Sequence, residues 1–272
     1  MTRDGDVAGA GDEFWRRLRA RVDAPPARAR APLWLGVPGE CIGSIEPGLA
    51  QRLVAAGLPV RASDAGVCIA AGDPASADAA LARIAAWLHA QRVVAGWRDE
   101  LLTVTDQHDM PRARIERAAV RPLGIATHAV HLVGQTPDGG VWVQQRAFDK
   151  ATDPGQWDTL MGGLQAAGES DATTLERETW EEAGLRIAAL QQVQPRGRLT
   201  VRRPVSDGYM IEHIELFDAV VPQGVVPENR DGEVACFECL TVAELIARLK
   251  SDAFTVEAAA LLMRWLELQR CL

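Results

Sequence analysis

Apolar and polar positions follow two periods along this chain, and the switches between them mark its elements. Phe14, Trp15 and Leu18 lie at helical spacing within 12–22, in a segment (1–30) otherwise mixed in Gly, Ala, Asp, Pro and Arg. In that segment Arg28 and Arg30 read as solvated linker. Two short apolar runs, 34–37 and 41–45, flank Pro38-Gly39, a pair suited to the centre of a type II turn, and so predict a hairpin. Pro47 opens a helix that turns Leu49 and Leu53 inward and closes at Gly57. A short strand over 67–71 precedes a helix capped by Ser76 and running to Gln91, with Leu81, Ile84 and Leu88 on one stripe. The run from Gly96 leads into a further strand at 101–104.

Beyond Arg121 the strands lengthen. Residues 123–133 are rich in strand formers, Asp138-Gly139-Gly140 is a turn, and 141–145 alternate as a second strand. A loop over 148–155 leads through 156–161 into Gly162-Gly163. Ser170 or Asp171 can cap a proline-free helix that Gly184 stops. Strands are then expected over 187–193, 199–205 and 210–217, and a turn through Gly232-Glu233 leads into another at Val234. Thr241 and Glu244 form a capping-box pattern, and a last helix over 255–269 carries Ala259, Leu262, Trp265 and Leu266. This order predicts a mixed α/β (α+β) architecture. A flexible or helical segment (1–30) and a small α+β unit (31–117) precede a larger domain (118–272).

Composition narrows the classes. Of 272 residues, 47% are apolar and 24% charged, the balance of a globular protein with an ordinary core. No apolar run reaches the roughly 18 residues of a membrane span, so no membrane role is expected. A net charge of −8 disfavours nucleic acid polymers, whose backbones demand clustered Lys and Arg. It also disfavours phosphorylated substrates unless cations screen the site. The five cysteines include Cys236 and Cys239 at C-x-x-C spacing, with no second pair or histidine at zinc-finger distance, and are expected to be reduced core residues. Met1 to Asp6 holds no apolar run and two acidic residues, so a cytoplasmic location is the expectation.

The chemistry concentrates in the predicted helix after Gly163. Glu178, Glu181 and Glu182 share one helical face beside Arg177, because residues three and four apart lie together. Crowded carboxylates repel unless a cation sits between them, and a hard divalent ion with oxygen ligands, Mg²⁺ or Mn²⁺, is the natural partner. Glu178 and Glu182 are the first-choice ligands, with Glu181 sharing the load. Arg177 can fix one carboxylate by a bidentate contact, while Glu169 supports the loop or a water-bound metal. His128 and His131, three apart on a strand, face opposite sides and are expected to be structural.

Written out, the stretch is Gly163-x5-Glu169-x7-Arg177-Glu178-x2-Glu181-Glu182-x-Gly184-Leu185, which resembles the signature box of the Nudix hydrolases, enzymes that cut diphosphates carrying an organic group. Thr179 departs, standing where that family has an aliphatic residue, although its methyl can still pack inward. The resemblance implies an α/β/α sandwich with a mixed sheet over 118–272 and adds the Gly163 carbonyl as a metal ligand. It also implies a carboxylate from outside the box as metal ligand or base: Glu233 first, then Asp231 or Glu212. The water-activating base is Glu233 or a box carboxylate such as Glu181. The runs Ile42-Gly43-Ser44-Ile45-Glu46-Pro47, Gly96-Trp97-Arg98-Asp99-Glu100-Leu101 and Ile115-Glu116-Arg117-Ala118 are similar to the N-terminal extension of a subgroup related to the Nudix portion fused to thiamin pyrophosphokinase. That similarity implies thiamin diphosphate or its altered analogues as substrate, cut to a monophosphate and phosphate. It places Arg146 and Lys150 near the phosphates, with Trp157 as a pocket wall. The first unit then shapes the substrate or dimerises, which leaves a homodimer open. The alternatives are an ADP-ribose or dinucleotide pyrophosphatase, an enzyme like isopentenyl diphosphate isomerase, which would want a cysteine in its pocket, and a non-catalytic ligand sensor.

Overall fold

The computed structural model describes residues 5–36, 40–150 and 152–270, with side chains described within 13–269. The turn expected at Pro38-Gly39 lies outside these residues. Helix α1 (Gly5–Val22) begins earlier than its apolar stripe, with Phe14 and Leu18 buried. Strands β1 (Ala31–Leu35) and β2 (Cys41–Ile45) pair antiparallel as expected. Next come α2 (Pro47–Ala55), β3 (Val60–Ser63), β4 (Gly66–Ile69) and α3 (Pro74–Ala90). The strands form a four-stranded mixed sheet in the order β2-β1-β4-β3, in which β1 and β4 run parallel. A separate antiparallel pair, β5 (Leu101–Thr105) and β6 (Pro111–Glu116), packs against α3. Leu33, Leu53, Ile69, Leu81, Ile84, Leu88 and Ile115 fill one core, which continues through Val120, Leu123 and Ile125.

Two local expectations change here. Asp73, not Ser76, caps α3: the Asp73 carboxylate accepts from the Ser76 N–H, the Ser76 hydroxyl returns the contact, and Pro74 occupies the first helical position, where its missing N–H costs nothing. Arg30 is not solvated linker. It donates to Ser44 and to the Pro122 carbonyl, tying the start of β1 to the segment that links the two sheets, and its side chain is buried.

The second sheet has seven strands: β7 (Ala126–Gln135), β8 (Val141–Arg146), β9 (Trp157–Asp158), β10 (Met161–Leu164), β11 (Gln191–Val205), β12 (Gly208–Val220) and β13 (Val234–Leu240). Its main order is β11-β12-β7-β8-β13, with β10 on β7 and β9 on β8. Strands β7 and β12 run parallel in a sheet whose other pairs are antiparallel, the mixed sheet expected. Helix α4 (Asp171–Ala183) covers one face through Leu175 and Ala183 against Val130 and Leu132. The other face, through Ala129, Val133 and Ile214, meets α1, α5 (Val242–Lys250) and α6 (Val256–Arg270), completing an α/β/α sandwich.

The two strands expected over 187–193 and 199–205 are instead a 3-10 turn at Ile187–Ala189 and the single strand β11, whose register shifts at Gln191/Gln194 and at Pro195/Gly197 absorb the residues that looked like a break. Cys236 and Cys239 are exposed rather than core, because β13 is an edge strand hydrogen-bonded on one side alone. Among the described residues no helix is long and apolar enough to cross a membrane.

Candidate active site

Helix α4 starts at Ser170, whose hydroxyl accepts from the Thr173 N–H at 3.2 Å, and ends on Gly184 at φ 64°. Thr174, Leu175, Thr179, Glu182 and Ala183 face inward. Thr179 packs its methyl into the core as expected. Its hydroxyl, however, is buried with no hydrogen-bond partner among the described residues. Arg177 is the organising cation of this helix. Its guanidinium grips both oxygens of Glu169 at 2.8 Å and donates to Glu178 at 2.8 Å, to Glu181 at 3.0 Å and to the Leu164 carbonyl at 3.2 Å. Glu169 therefore belongs to the loop. Hydrogen bonds from Arg177, opposed by burial and joined by those from Thr174 and the Ala166 N–H, hold its carboxyl down at about 2.

Glu178 and Glu182 sit in the opposite situation. Glu182 is 3% exposed, and one of its oxygens accepts from the Gln144 amide at 2.9 Å and from the Gly162 N–H at 3.1 Å. Burial, reinforced by the charge of Glu178, raises its pKa to about 8. Burial raises that of Glu178 to about 7, against the opposing pull of Arg177. The double glycine is what lets these side chains lie so close to the sheet. A Cβ on Gly163 would overlap the Glu178 carboxyl, and one on Gly162 would overlap the buried His131 ring. Two neighbouring carboxylates of high proton affinity, one buried and one half-buried, form a donor set that suits a hard divalent cation. As they stand, though, no three acidic, histidine or cysteine side chains among the described residues converge into a ready-made cage, since Arg177 draws Glu178 and Glu181 to itself.

These carboxylates open into a cleft of about 470 Å³ whose wall includes Gly162, Gly163, Glu178, Glu182, Asp231 and Glu233. Arg98, Arg117, Arg121, Arg146, Lys150 and Arg203 line the same space. Glu233 is ion-paired with Lys150; burial pushes its pKa up, but the ammonium outweighs that and holds it below the ordinary value. Asp231 is raised by burial. The expected cluster of Gly163, Glu178, Glu182, Glu233, Arg146 and Lys150 is thus brought together in one cleft. Glu181 and Trp157 do not line it. Glu181 turns out to solvent against Arg177, and the Trp157 ring packs under the Arg248 guanidinium at 4.3 Å. The reason is geometric: on α4 the position after Glu178 that falls inward is Glu182, and Glu181 lies off that line. His131 lines the cleft, bonded to the Thr159 hydroxyl at 2.9 Å, whereas His128 lies against the His213 ring at a tilt on the other side of the strand.

Several contributors were not singled out from the sequence. Gln144, 1% exposed, holds Glu182, yet nothing in its spacing relates it to the helix. Arg203 reaches the cleft from β11 and pairs with Glu257 of α6 at 2.8 Å, and Arg117 and Arg121 come from the chain that links the two sheets. A second portion of the cleft, about 420 Å³, continues from the first through Arg98, Arg117, Arg121, Arg203 and Glu212.

With this geometry established, known proteins can be compared. Nudix hydrolase 20, chloroplastic, of Arabidopsis thaliana is 32% identical over 60% of this chain and 44% of its own length. Nudix hydrolase 24, chloroplastic, of the same plant is 30% identical over 68% of this chain and 52% of its own. The chain thus spans about half the length of the curated relatives it matches. The crystal structure of DR0079 from Deinococcus radiodurans aligns with a TM-score of 0.51 at 22% identity, covering 61% of this chain and 98% of that one, which is a likeness of fold. The NUDIX domain matches residues 126–262, from the first residue of β7 into α6, and since that is just over half of the sequence, the chain belongs to the Nudix family.

Proposed function

We propose that this chain hydrolyses the phosphoanhydride bond of an organic diphosphate with the help of a divalent cation, Mg²⁺ or Mn²⁺. The observation that carries the reading is one cleft in which two carboxylates, half-buried Glu178 and buried Glu182, face a rank of guanidinium and ammonium groups. Glu178, Glu182 and the Gly163 carbonyl are the groups that would hold the cation. When bound, it screens phosphoryl charge and lowers the pKa of coordinated water. Arg177 positions Glu178. Arg146, Lys150 and Arg203 neutralise the phosphoryl oxygens. Glu233, the cleft carboxylate kept ionised by Lys150, takes the proton of the attacking water once Lys150 shifts to a phosphate. The unit over 31–117 shapes the far end of the cleft and selects the leaving group.

For the substrate we propose thiamin diphosphate or its altered analogues, on the similarity of the first unit, with Arg98 of the run Gly96 to Leu101 standing in the cleft wall. An isomerase reading is disfavoured, since no described cysteine lines the cleft. The test is purified protein with Mg²⁺ or Mn²⁺ against thiamin, nucleoside and sugar diphosphates and ADP-ribose, scored for inorganic phosphate and monophosphates. Release from thiamin-type diphosphates is expected. Cleavage of ADP-ribose alone would overturn the substrate reading, and no release above a metal-free control from any of them would sink the hydrolase.

A further inference from the structure

The second portion of the cleft has a different chemistry from the first. Val120, Ile125, Leu164, Val205 and Met210 give it apolar walls, and its volume of about 420 Å³ is that of a small-ligand pocket. Two carboxylates, Asp153 and Glu212, stand where this portion joins the portion lined by Glu178 and Glu182, and Asp153 is already ion-paired with Arg203. The position of the other follows from the parallel pairing of β12 with β7, which sets Glu212 opposite Thr127. The Thr127 hydroxyl donates to one Glu212 oxygen at 3.2 Å, and among the described residues this is the one hydrogen bond that reaches the carboxylate. This half-buried carboxylate lines the cavity with acceptor capacity left over, which a donor on a bound ligand can take up. Arg203, the nearby cation from β11, is already committed to Glu257 and Asp153.

We propose that Glu212 anchors the organic group of the substrate by accepting a hydrogen bond from an N–H donor on a flat, uncharged ring seated between Val120, Ile125, Leu164 and Met210. The guanidinium groups of Arg98, Arg117 and Arg121 border the same space, so a net positive ring face would be repelled there and a neutral donor is favoured. Arg98, which has no ion-pair partner among the described residues, is free to hold a phosphate of the same ligand, and in a thiamin-type ligand the neutral donor ring is the aminopyrimidine. A carboxylate set against apolar walls discriminates strongly, because a ring without the donor leaves it buried and unpaired. This assignment rests on the diphosphate reading in that it takes the ligand to be the substrate's organic group.

The test separates the two. Calorimetric titration measures binding of adenosine monophosphate and thiamin monophosphate, whose rings carry amino donors, against isopentenyl monophosphate, which has none, in the wild type and in Glu212→Ala. In parallel, kcat/KM is measured for the corresponding diphosphates. The wild type is expected to bind at least one amino-ring ligand about tenfold or more tightly than the alkyl one, and Glu212→Ala to lose that preference. Glu212→Gln serves if the alanine variant does not fold, and it must also weaken the preference, since an amide oxygen accepts less strongly than a carboxylate. Equal affinity for all three ligands in the wild type, or a preference that survives both substitutions, overturns the assignment. A ring preference without turnover overturns the hydrolase while Glu212 stands, and turnover without a ring preference does the reverse.

Discussion

The two ends of the cleft follow opposite charge plans. At the α4 end, buried Glu182 and half-buried Glu178 stand in one cleft wall, the first held by two amide donors and the second by Arg177. At the other end, Arg98, Arg117, Arg121 and Arg203 line the wall with Asp153, Asp207 and Glu212, and Arg98 has no ion-pair partner among the described residues. The first arrangement is destabilising until a cation arrives; the second is ready for an anion as it stands. An anion in the cleft is therefore attracted at the arginine end and repelled at the glutamate end unless a cation screens the glutamates. An acidic protein thus carries one cleft with a guanidinium-rich wall.

Four experiments bear on that contrast. The largest effect is expected from Glu182→Gln, which removes a charge from the α4 end: turnover should fall by about a hundredfold to a thousandfold. The same variant should gain stability relative to the wild type as pH rises. Folded Glu182 and Glu178 keep their protons to about 8 and about 7, whereas an ordinary glutamate releases its own near 4.5. Between those values the folded state binds more protons than the unfolded chain, so wild-type stability falls with rising pH. Thermal melts of chelator-treated protein from pH 5 to 8 should show the variant's Tm pulling ahead of the wild type. Parallel curves would mean that the glutamates are not held as described.

Arg177→Ala should lower unfolding stability by about 1–3 kcal/mol, read as a reduced urea midpoint at constant slope, because Glu169 and Glu178 lose their shared donor; partial solvent exposure keeps the figure modest. An unchanged midpoint would reduce the arginine to surface decoration. At the arginine end, Arg98→Ala should raise KM several-fold for a diphosphate substrate and move stability by no more than about 0.5 kcal/mol, a split that separates ligand binding from fold. A fall in kcat with KM unchanged would instead draw Arg98 into the chemistry. The smallest effect is Thr179→Val. It replaces a buried, unpartnered hydroxyl with a methyl of the same shape and should stabilise by about 0.5–1 kcal/mol, measured by chemical denaturation. A destabilised variant would show that the hydroxyl has a partner after all.

The α4 end was legible because it is contiguous. Gly163, Glu169, Arg177, Glu178, Glu182 and Gly184 lie within a single turn and helix, where spacing alone decides which side chains share a face. Even there, spacing over-reached. It grouped Glu181 with Glu182, and the packing of α4 on Val130 and Leu132 then sent the former to solvent and the latter inside. The Ser170 cap, the Gly184 stop and the Thr241 capping box were equally local and came out as expected. The cap at Asp73, the unbroken run of β11 and the exposure of Cys236 and Cys239 were not, because each depends on a partner strand or on a reciprocal contact that no single window of sequence contains.

The sequence alone determined the helix that carries the acidic chemistry, the double glycine that admits its side chains, and the α/β pattern around them. All three rest on residues within a few positions of one another. The tertiary structure decided the rest: that Gln144 holds Glu182, that Lys150 meets Glu233, and that Arg98, Arg203 and Glu212 share one cavity. These residues come from separate strands and loops. Their meeting depends on the register and order of two sheets, which is a sum of long-range packing energies and not a property of any local stretch.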